Sequence, residues 1–420
     1  MTERRLNVFI SSTLVGELVE NNGLWLFTYD ESWLNAPNAY PLAPYLPLRS
    51  APHVDTGSYR PVQWLFDNLL PEEAARVLLA RDLRASTEDA FSMLEAIGAE
   101  SAGALSLLAP QQNLATGKYV PLSNDEISRR IRNLPRMPMN DRSRKRMSLA
   151  GAQHKMLVVS HQNQLFEPSG DYPSTHILKP EHSQPDLYPF TVRNEFFCMR
   201  LARLCGLDVP EVDIGYVPEA YYLVERFDRV GALPDLQRLH VLDGCQMLGL
   251  SAGAKYRLST VDTLVKLQHL CRSKAKTALR LFRWILFNFY IGNGDAHLKN
   301  LTFVFAPDGV ELMPHYDLLS TIIYEPLGQH LDAELSQPLG NAQYFGQVTV
   351  QDLLAVGEAF GLRGNVAAKE ISFMAKQVSE HSASLIDEYA SSANHAGKSG
   401  ELRMLRQIQH LAIGELTALG

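Results

Sequence analysis

The sequence lacks any apolar run long enough to cross a membrane. Its longest greasy segment, Leu279–Ile291, is short and is interrupted by Arg280, Arg283 and Asn288, whereas a spanning helix needs about 20 apolar residues. The N-terminus, M-T-E-R-R-L-N-V-F-I, has neither an apolar h-region nor a cleavage site, so no secretory signal is expected. Cysteine is scarce. Cys198, Cys205, Cys245 and Cys271 are dispersed and form no C-x-x-C pair, the usage of buried thiols in a reducing compartment. A cytoplasmic protein with no membrane partner is therefore expected. Basic residues are not in excess: 39 Lys and Arg against 46 Asp and Glu leave a net charge of −7. That balance argues against direct duplex binding by this chain alone. Internal repeats and low-complexity tracts are missing too, as is the Walker A pattern G-x-x-x-x-G-K-[ST].

What is present is an ordinary globular composition, 46% hydrophobic and 20% charged over 420 residues, enough for two or three packed units. Three regions are expected. Residues 1–108 open with strand-like Val8-Phe9-Ile10, Leu14–Leu18 and Leu24–Tyr29. An irregular Pro-rich stretch follows, from Pro37 to Pro52, and then helical spacing from Pro61 to Ile97, with a helix start at Pro71-Glu72-Glu73. Residues 109–229 are mixed. Strands are expected at Met156–Ser160, Thr175–Leu178 and Tyr221–Val224, with a helix from Val192 to Cys205. Residues 230–420 read as mostly helical, with Thr260–Cys271, Lys276–Tyr290, Val350–Ala359 and Val366–Tyr389 at helical period. A hairpin is expected around Pro307-Asp308-Gly309. Ser391–Gly400 is small and polar and is expected to move.

The densest chemistry lies in G-N-G-D-A-H-L-K-N, Gly292 to Asn300, directly after an apolar run. Asp295 and Asn300 have the spacing of a protein-kinase catalytic loop, in which the Asp takes the substrate hydroxyl proton and the Asn holds a metal. Asp317, in His315-Tyr316-Asp317, follows another strand-like segment, where a kinase places its second metal-binding acid. Two acids and an Asn in this order point to metal-assisted phosphoryl transfer. Such a site needs a strand lysine for the nucleotide phosphates and a helix glutamate to aim it. Lys179 ends T-H-I-L-K-P, and Glu195 sits early in the next helix. Either alone reads as a solvated charge; their order before Asp295 and Asp317 gives them these roles. Ala150, Gly151, Ala152, Gln153, His154 and Lys155 form a small-residue loop before a strand, in which backbone N–H groups can approach an anion, although A-G-A is also a common turn. Backbone groups of Val224, Glu225 and Arg226, in Y-Y-L-V-E-R-F-D-R, suit an adenine-reading hinge. The plainer reading of that segment is an edge strand ending in a salt bridge.

These segments together resemble the HipA family of bacterial toxin kinases. M-S-L-A-G-A-Q-H-K, T-H-I-L-K-P, N-E-F-F-C-M-R-L-A, V-E-R-F-D-R, I-G-N-G-D-A-H-L-K-N and P-H-Y-D-L-L-S-T match in order, as do L-P-L-R, F-D-N-L-L-P-E and G-A-E-S-A-G-A-L-S-L near the N-terminus. The resemblance implies an α+β, two-lobed protein-kinase-like fold: a β-rich N-terminal subdomain and lobe, an all-α C-terminal lobe, and ATP between the lobes. It implies Ser/Thr kinase activity with ATP and Mg²⁺, an aminoacyl-tRNA synthetase as protein substrate, and growth arrest. It implies neutralisation by a HipB-like helix-turn-helix antitoxin, with DNA engaged only through that partner. Autophosphorylation carries over to Ser148, beside the basic run Arg142–Arg146. In these roles Lys179 and the 150–155 loop hold phosphates, Asn300 and Asp317 hold Mg²⁺, and Asp295 orients or deprotonates the acceptor. His297 or Lys299 steadies the transferred group. The sequence departs from the family at His154, often an acid there, and at Leu239–Asp243, a less acidic stretch than usual. A catalytically silent corepressor and a small-molecule kinase of similar fold are the competing readings.

Overall fold

Alternation of apolar and polar residues builds the first sheet. The structure, a computed structural model, describes residues 3–112, 117–134, 136, 139, 153–233 and 235–419. Strands β1 (Arg4–Ile10), β2 (Thr13–Asn21) and β3 (Leu24–Tyr29) are followed by helix α1 (Glu31–Leu34) and an irregular Pro-rich segment. Then come β4 (His53–Val54), helices α2 (Pro61–Asp67), α3 (Glu73–Leu83) and α4 (Ala90–Ile97), and β5 (Leu105–Leu108). The strand order is β4-β3-β2-β1-β5, and the pairings are antiparallel. Trp25, Phe27 and Tyr29 alternate into the core along β3. Trp25 meets Phe91 of α4 edge-on at 5.2 Å, and Phe27 meets Phe66 of α2 at 6.0 Å. Pro61 occupies the first turn of α2, where a missing N–H costs nothing. The Asp55 carboxylate accepts from the next two amides, Val62 and Gln63, at 2.8 and 2.9 Å.

The second sheet uses β6 (Tyr119–Pro121), β7 (Met156–His161), β8 (Gln164–Pro168), β9 (His176–Pro180), β10 (Val212–Tyr216) and β11 (Ala220–Glu225), with α5 (Asn124–Arg132) after β6 and α6 (Thr191–Leu204) after β9. Its order is β10-β11-β9-β7-β8-β6. Register decides what each face carries. Leu178 on β9 stands opposite Leu223 of β11 and Met156 of β7, and all three enter a core completed by Ile127 of α5. The next residue, Lys179, therefore faces the other side, opposite Tyr222.

Beyond β11 lie β12 (Arg229–Val230), β13 (Gln237–Arg238), β14 (Val241–Asp243), α7 (Gly244–Met247), α8 (Val261–Leu270) and α9 (Lys274–Tyr290). The expected hairpin forms as β15 (Thr302–Ala306) and β16 (Gly309–Leu312), and β14 joins it in the order β14-β15-β16. A smaller hairpin, β17 (Glu334–Leu339) and β18 (Ala342–Tyr344), precedes α10 (Val350–Ala359), α11 (Gly364–Ser391), α12 (Lys398–Gln407), a π-helical stretch Ile408–Gly414, and α13 (Glu415–Leu419).

Packing groups these elements into two units. One holds Met1–Ser183, Gly215–Gly253 and Thr302–Val310; the other holds Gln184–Ile214, Ala254–Leu301 and Glu311–Gly420. The second is the helical one. From Leu281 to Tyr290, α9 is buried on almost every side, as expected of a central helix. On α11, Ala367, Ile371, Met374, Val378, Leu385 and Ile386 recur at helical spacing and are buried. The polar stretch after α11 does not hang free. Lys398 donates to Ala390 O at 3.0 Å, and Tyr389 Oη bonds His395 Nε2 at 2.9 Å.

Candidate active site

The polar cluster sits where it does because α9 is stopped by backbone chemistry. Gly292 takes φ +66°. The Gly292 amide donates to Phe289 O at 2.9 Å and the Asn293 amide to Asn288 O at 2.8 Å, the paired bonds of a Schellman motif. A side chain at Gly292 would meet Ile322 Cδ1 at 2.4 Å, so both the conformation and the space require glycine. Asn293 then does two jobs. Its amide donates to Asn288 Oδ1 at 2.7 Å, and its oxygen accepts the Asp295 amide at 3.0 Å, an Asx turn that sets the direction of Asp295.

Asp295 is half-buried, while His297, Lys299 and Asn300 are buried in the short 3-10 turn that follows. The Asn300 side-chain amide donates to Asp295 O at 2.8 Å. That bond uses the amide nitrogen and leaves the side-chain oxygen as an acceptor on the other side. The phenol of Tyr256 donates to Asp295 Oδ1. Neither bond is visible as a motif.

The Asp317 segment is fastened to the same loop. Thr321 N and Ile322 N donate to Gly292 O at 2.9 and 3.1 Å, and Gly294 N donates to Thr321 Oγ1 at 2.7 Å. Tyr316 Oη donates to Lys299 O at 2.7 Å, so the neighbours of Asp317 and Asn300 are in contact. Asp317 itself has φ +59°, a left-handed conformation uncommon for residues other than glycine and best tolerated by Asn and Asp. Behind it, His315 stacks on Trp284 of α9. Asn194 of α6 bonds both the amide and the carbonyl of Ser320, at 2.9 and 2.8 Å. Glu195, the next residue, is buried on the same helix. Glu195, Asp295, His297, Lys299, Asn300 and Asp317 thus all belong to the helical unit.

Among the described residues, no group of three or more His, Cys, Asp and Glu side chains is arranged to hold a metal. Asn300 and Asp317 carry side-chain oxygens, the donor type that Mg²⁺ takes.

The remaining candidates lie on the β-rich unit. Lys179 is buried on β9, its ammonium 5.7 Å from the centre of the Tyr222 ring. Gln153 Nε2 donates to Pro180 O at 3.2 Å, tying the loop to the end of the lysine strand. The His154 ring is buried, and its Nε2 makes no hydrogen bond among the described residues. Burial, and then the nearby His182, hold its imidazole below the ordinary value. Ser148, Ala150, Gly151 and Ala152 lie outside the described residues, as does the basic run Arg142–Arg146.

Arg226 departs from the expectation of a nucleotide contact. Its amide donates to Thr175 O at 2.9 Å. Its guanidinium is buried against Asp228 at 2.7 Å and bonds Ser174 Oγ at 2.9 Å. Arg229 bonds the same Asp228 at 3.0 Å and Glu100 at 3.3 Å, and the Gly103 amide donates to Asp228 at 2.7 Å. The cluster is structural: it ties Glu100 and Gly103 to the end of β11. Of the expected hinge, Val224 stays buried opposite Ile177, and Glu225 is exposed opposite His176.

Comparison with known proteins agrees with this architecture. Residues 6–108 match the model of the HipA N-terminal domain, and residues 147–383 match that of the HipA-like C-terminal domain. The chain is 30% identical to the serine/threonine-protein kinase toxin HipA of Shewanella oneidensis over 91% of this chain and 89% of that one. It is 36% identical to the Sinorhizobium fredii protein Y4mE over 78% of this chain and 80% of that one. The solved Shewanella oneidensis complex of HipA, HipB and operator DNA contains a chain that superposes with TM-score 0.81 at 25% identity, covering 99% of this chain and all of that one. The fold is accordingly the two-lobed, kinase-like α+β fold, and the chain belongs to the HipA family.

Proposed function

We propose that this chain is a HipA-like serine/threonine protein kinase toxin, which moves the ATP γ-phosphoryl group to a protein hydroxyl and is held in check by a HipB-like antitoxin. One observation carries the reading. Asp295 is aimed by the Asn293 turn, and Asn300 is tethered to the Asp295 carbonyl with its own oxygen left as an acceptor. Asp295 then orients the acceptor hydroxyl and takes its proton. Asn300 and Asp317 hold Mg²⁺, which when bound neutralises charge on the phosphate oxygens. His297 or Lys299, both buried close to Asp295 in sequence, supplies a donor toward the transferred group. Lys179, with Glu195 to aim it, and the loop of Ala150 to Lys155 hold the nucleotide phosphates. Backbone groups at Val224 and Glu225 read the adenine, and Arg226 keeps only its structural role.

The substrate class proposed is an aminoacyl-tRNA synthetase, whose modification stops growth, with self-modification at Ser148. The setting is the cytoplasm; among the described residues, no helix is long and apolar enough to cross a membrane. The test is phosphate transfer from labelled MgATP to candidate synthetases and to the chain itself, with sites mapped by mass spectrometry. Asp295→Asn should lower transfer by roughly two to four orders of magnitude, the scale of a positioned base, with ATP affinity little changed. Transfer by that variant at the wild-type rate would remove the assignment.

A further inference from the structure

Asp295 carries a hydrogen bond from a residue outside its own loop. Tyr256 lies just after the 3-10 turn Ala252–Ala254, and its hydroxyl donates to Asp295 Oδ1. The ring is set from more than one side. It meets the His297 ring edge-on at 4.9 Å, and the Lys255 ammonium lies 5.1 Å from its centre. The Lys255 carbonyl in turn accepts the Leu298 amide at 3.4 Å. The tyrosine is thus aimed by a turn fastened to the catalytic loop. Yet it is 47% exposed, and exposed side chains change rotamer quickly.

A serine or threonine acceptor has to bring its hydroxyl to the same carboxylate. Water, the competing hydroxyl nucleophile, needs that place as well. We infer that Tyr256 is a placeholder: its phenol occupies the acceptor-hydroxyl position on Asp295, keeps water from it, and yields when a protein substrate docks. This rests on the reading of Asp295 as the acceptor-side carboxylate. Tyr256 is on that account a positioning residue that controls which nucleophile reaches Asp295. No bond forms or breaks in the exchange; one O–H donor replaces another on Asp295 Oδ1.

The test uses the full chain, MgATP and no protein substrate, and follows ADP release beyond the first equivalent per chain. Wild type, Tyr256→Phe, Asp295→Asn and the double variant are compared. Phe keeps the ring contacts and removes only the hydroxyl. Losing one exposed hydrogen bond to a charged group should raise hydrolysis by roughly threefold to tenfold, with KM for ATP unchanged and the rise absent from the double variant. Tyr256→Leu, which removes the ring too, should rise at least as much. A merely structural tyrosine would lower turnover when altered. An Asp295-dependent wild-type rate that does not rise in Tyr256→Phe overturns the placeholder and leaves the kinase reading standing. Phosphate found on Tyr256 itself also overturns it, since the phenol would then be an acceptor. A wild-type chain that neither binds nor turns over MgATP overturns both.

Discussion

Asn194 holds Ser320 by both of that residue's backbone polar groups. The side-chain amide donates to the carbonyl at 2.8 Å, and the side-chain oxygen accepts from the amide at 2.9 Å. Both residues are fully buried. An asparagine inside a helix is a poor helix former, and here it couples the helix bearing Glu195 to the segment that follows Asp317. Asn194→Ala should leave two buried backbone groups unpaired and cost about 2–4 kcal/mol, read as a lower urea midpoint. A midpoint within error of wild type would mean that water replaces both bonds without loss.

Asp317 allows a more selective substitution. Because its φ is +59°, alanine there adds backbone strain to any chemical effect. Asparagine tolerates that conformation and matches the size, so Asp317→Asn removes one anionic donor and little else. MgATP affinity by calorimetry should fall by about tenfold or more, the scale of metal-site substitutions, while thermal stability stays close to wild type. Unchanged affinity would make Asp317 a turn residue only.

Much of the fold is written in local periodicity. The strands β1 to β3, the buried helix α9 and the stripe along α11 follow from period 2 or 3.6, because each stabilises itself by a face that neighbours in sequence define. The Asp295 to Asn300 loop is legible for the same reason, its spacing lying within a single turn. Tyr256 and Asn194 are not legible. Their partners lie 39 and 126 residues away, and nothing local distinguishes them from any exposed tyrosine or helix asparagine. Arg226 is legible only in part. E-R-F-D-R reads as an edge strand ending in a salt bridge; the Arg226–Asp228 bridge is there, but β11 lies inside the sheet between β10 and β9, and only the fold reveals that Glu100 and Gly103 join the bridge and bury its charges.

His240 should give the protein an acid-side instability. Its ring is buried, Nε2–H donates to Leu42 O at 2.8 Å, and Nδ1 has no hydrogen bond among the described residues. Burial holds its pKa down to about 4, against about 6.5 in the unfolded chain. Above pH 6.5 neither state is protonated and the contribution is complete. As pH falls from 6.5 toward 4, the unfolded state binds the proton first, so stability drops by at most about 1.4 kcal/mol per pH unit from this ring. Urea midpoints at pH 7 and pH 5 should show the fall. His240→Gln, which keeps a donor but cannot titrate, should show a shallower one. Equal slopes would assign the acid sensitivity to other groups.

The buried cluster around Asp228 supplies the largest expected stability effect. Burial alone would push the Asp228 carboxyl up, but Arg226 and Arg229 outweigh it and hold the carboxyl well below its usual range. Arg238, half-buried nearby, is pushed down to about 9, by desolvation first and then by Arg229. Two buried guanidinium groups, Arg226 and Arg229, therefore face two carboxylates, Asp228 and Glu100. Asp228→Ala would leave two buried cations, Arg226 and Arg229, against one anion, Glu100. Removing one partner of a buried pair costs about 3–5 kcal/mol, and added salt should recover little, since buried charges are poorly screened. The contrast lies in Arg200 and Glu388, bonded at 3.0 Å but largely exposed. There Glu388→Ala should cost less than about 1 kcal/mol. Measuring both variants in one urea series separates burial from bond length as the source of the effect. Similar losses for the two would mean that the Asp228 cluster is hydrated in solution, and that the join between the N-terminal segment and the end of β11 rests on apolar packing instead.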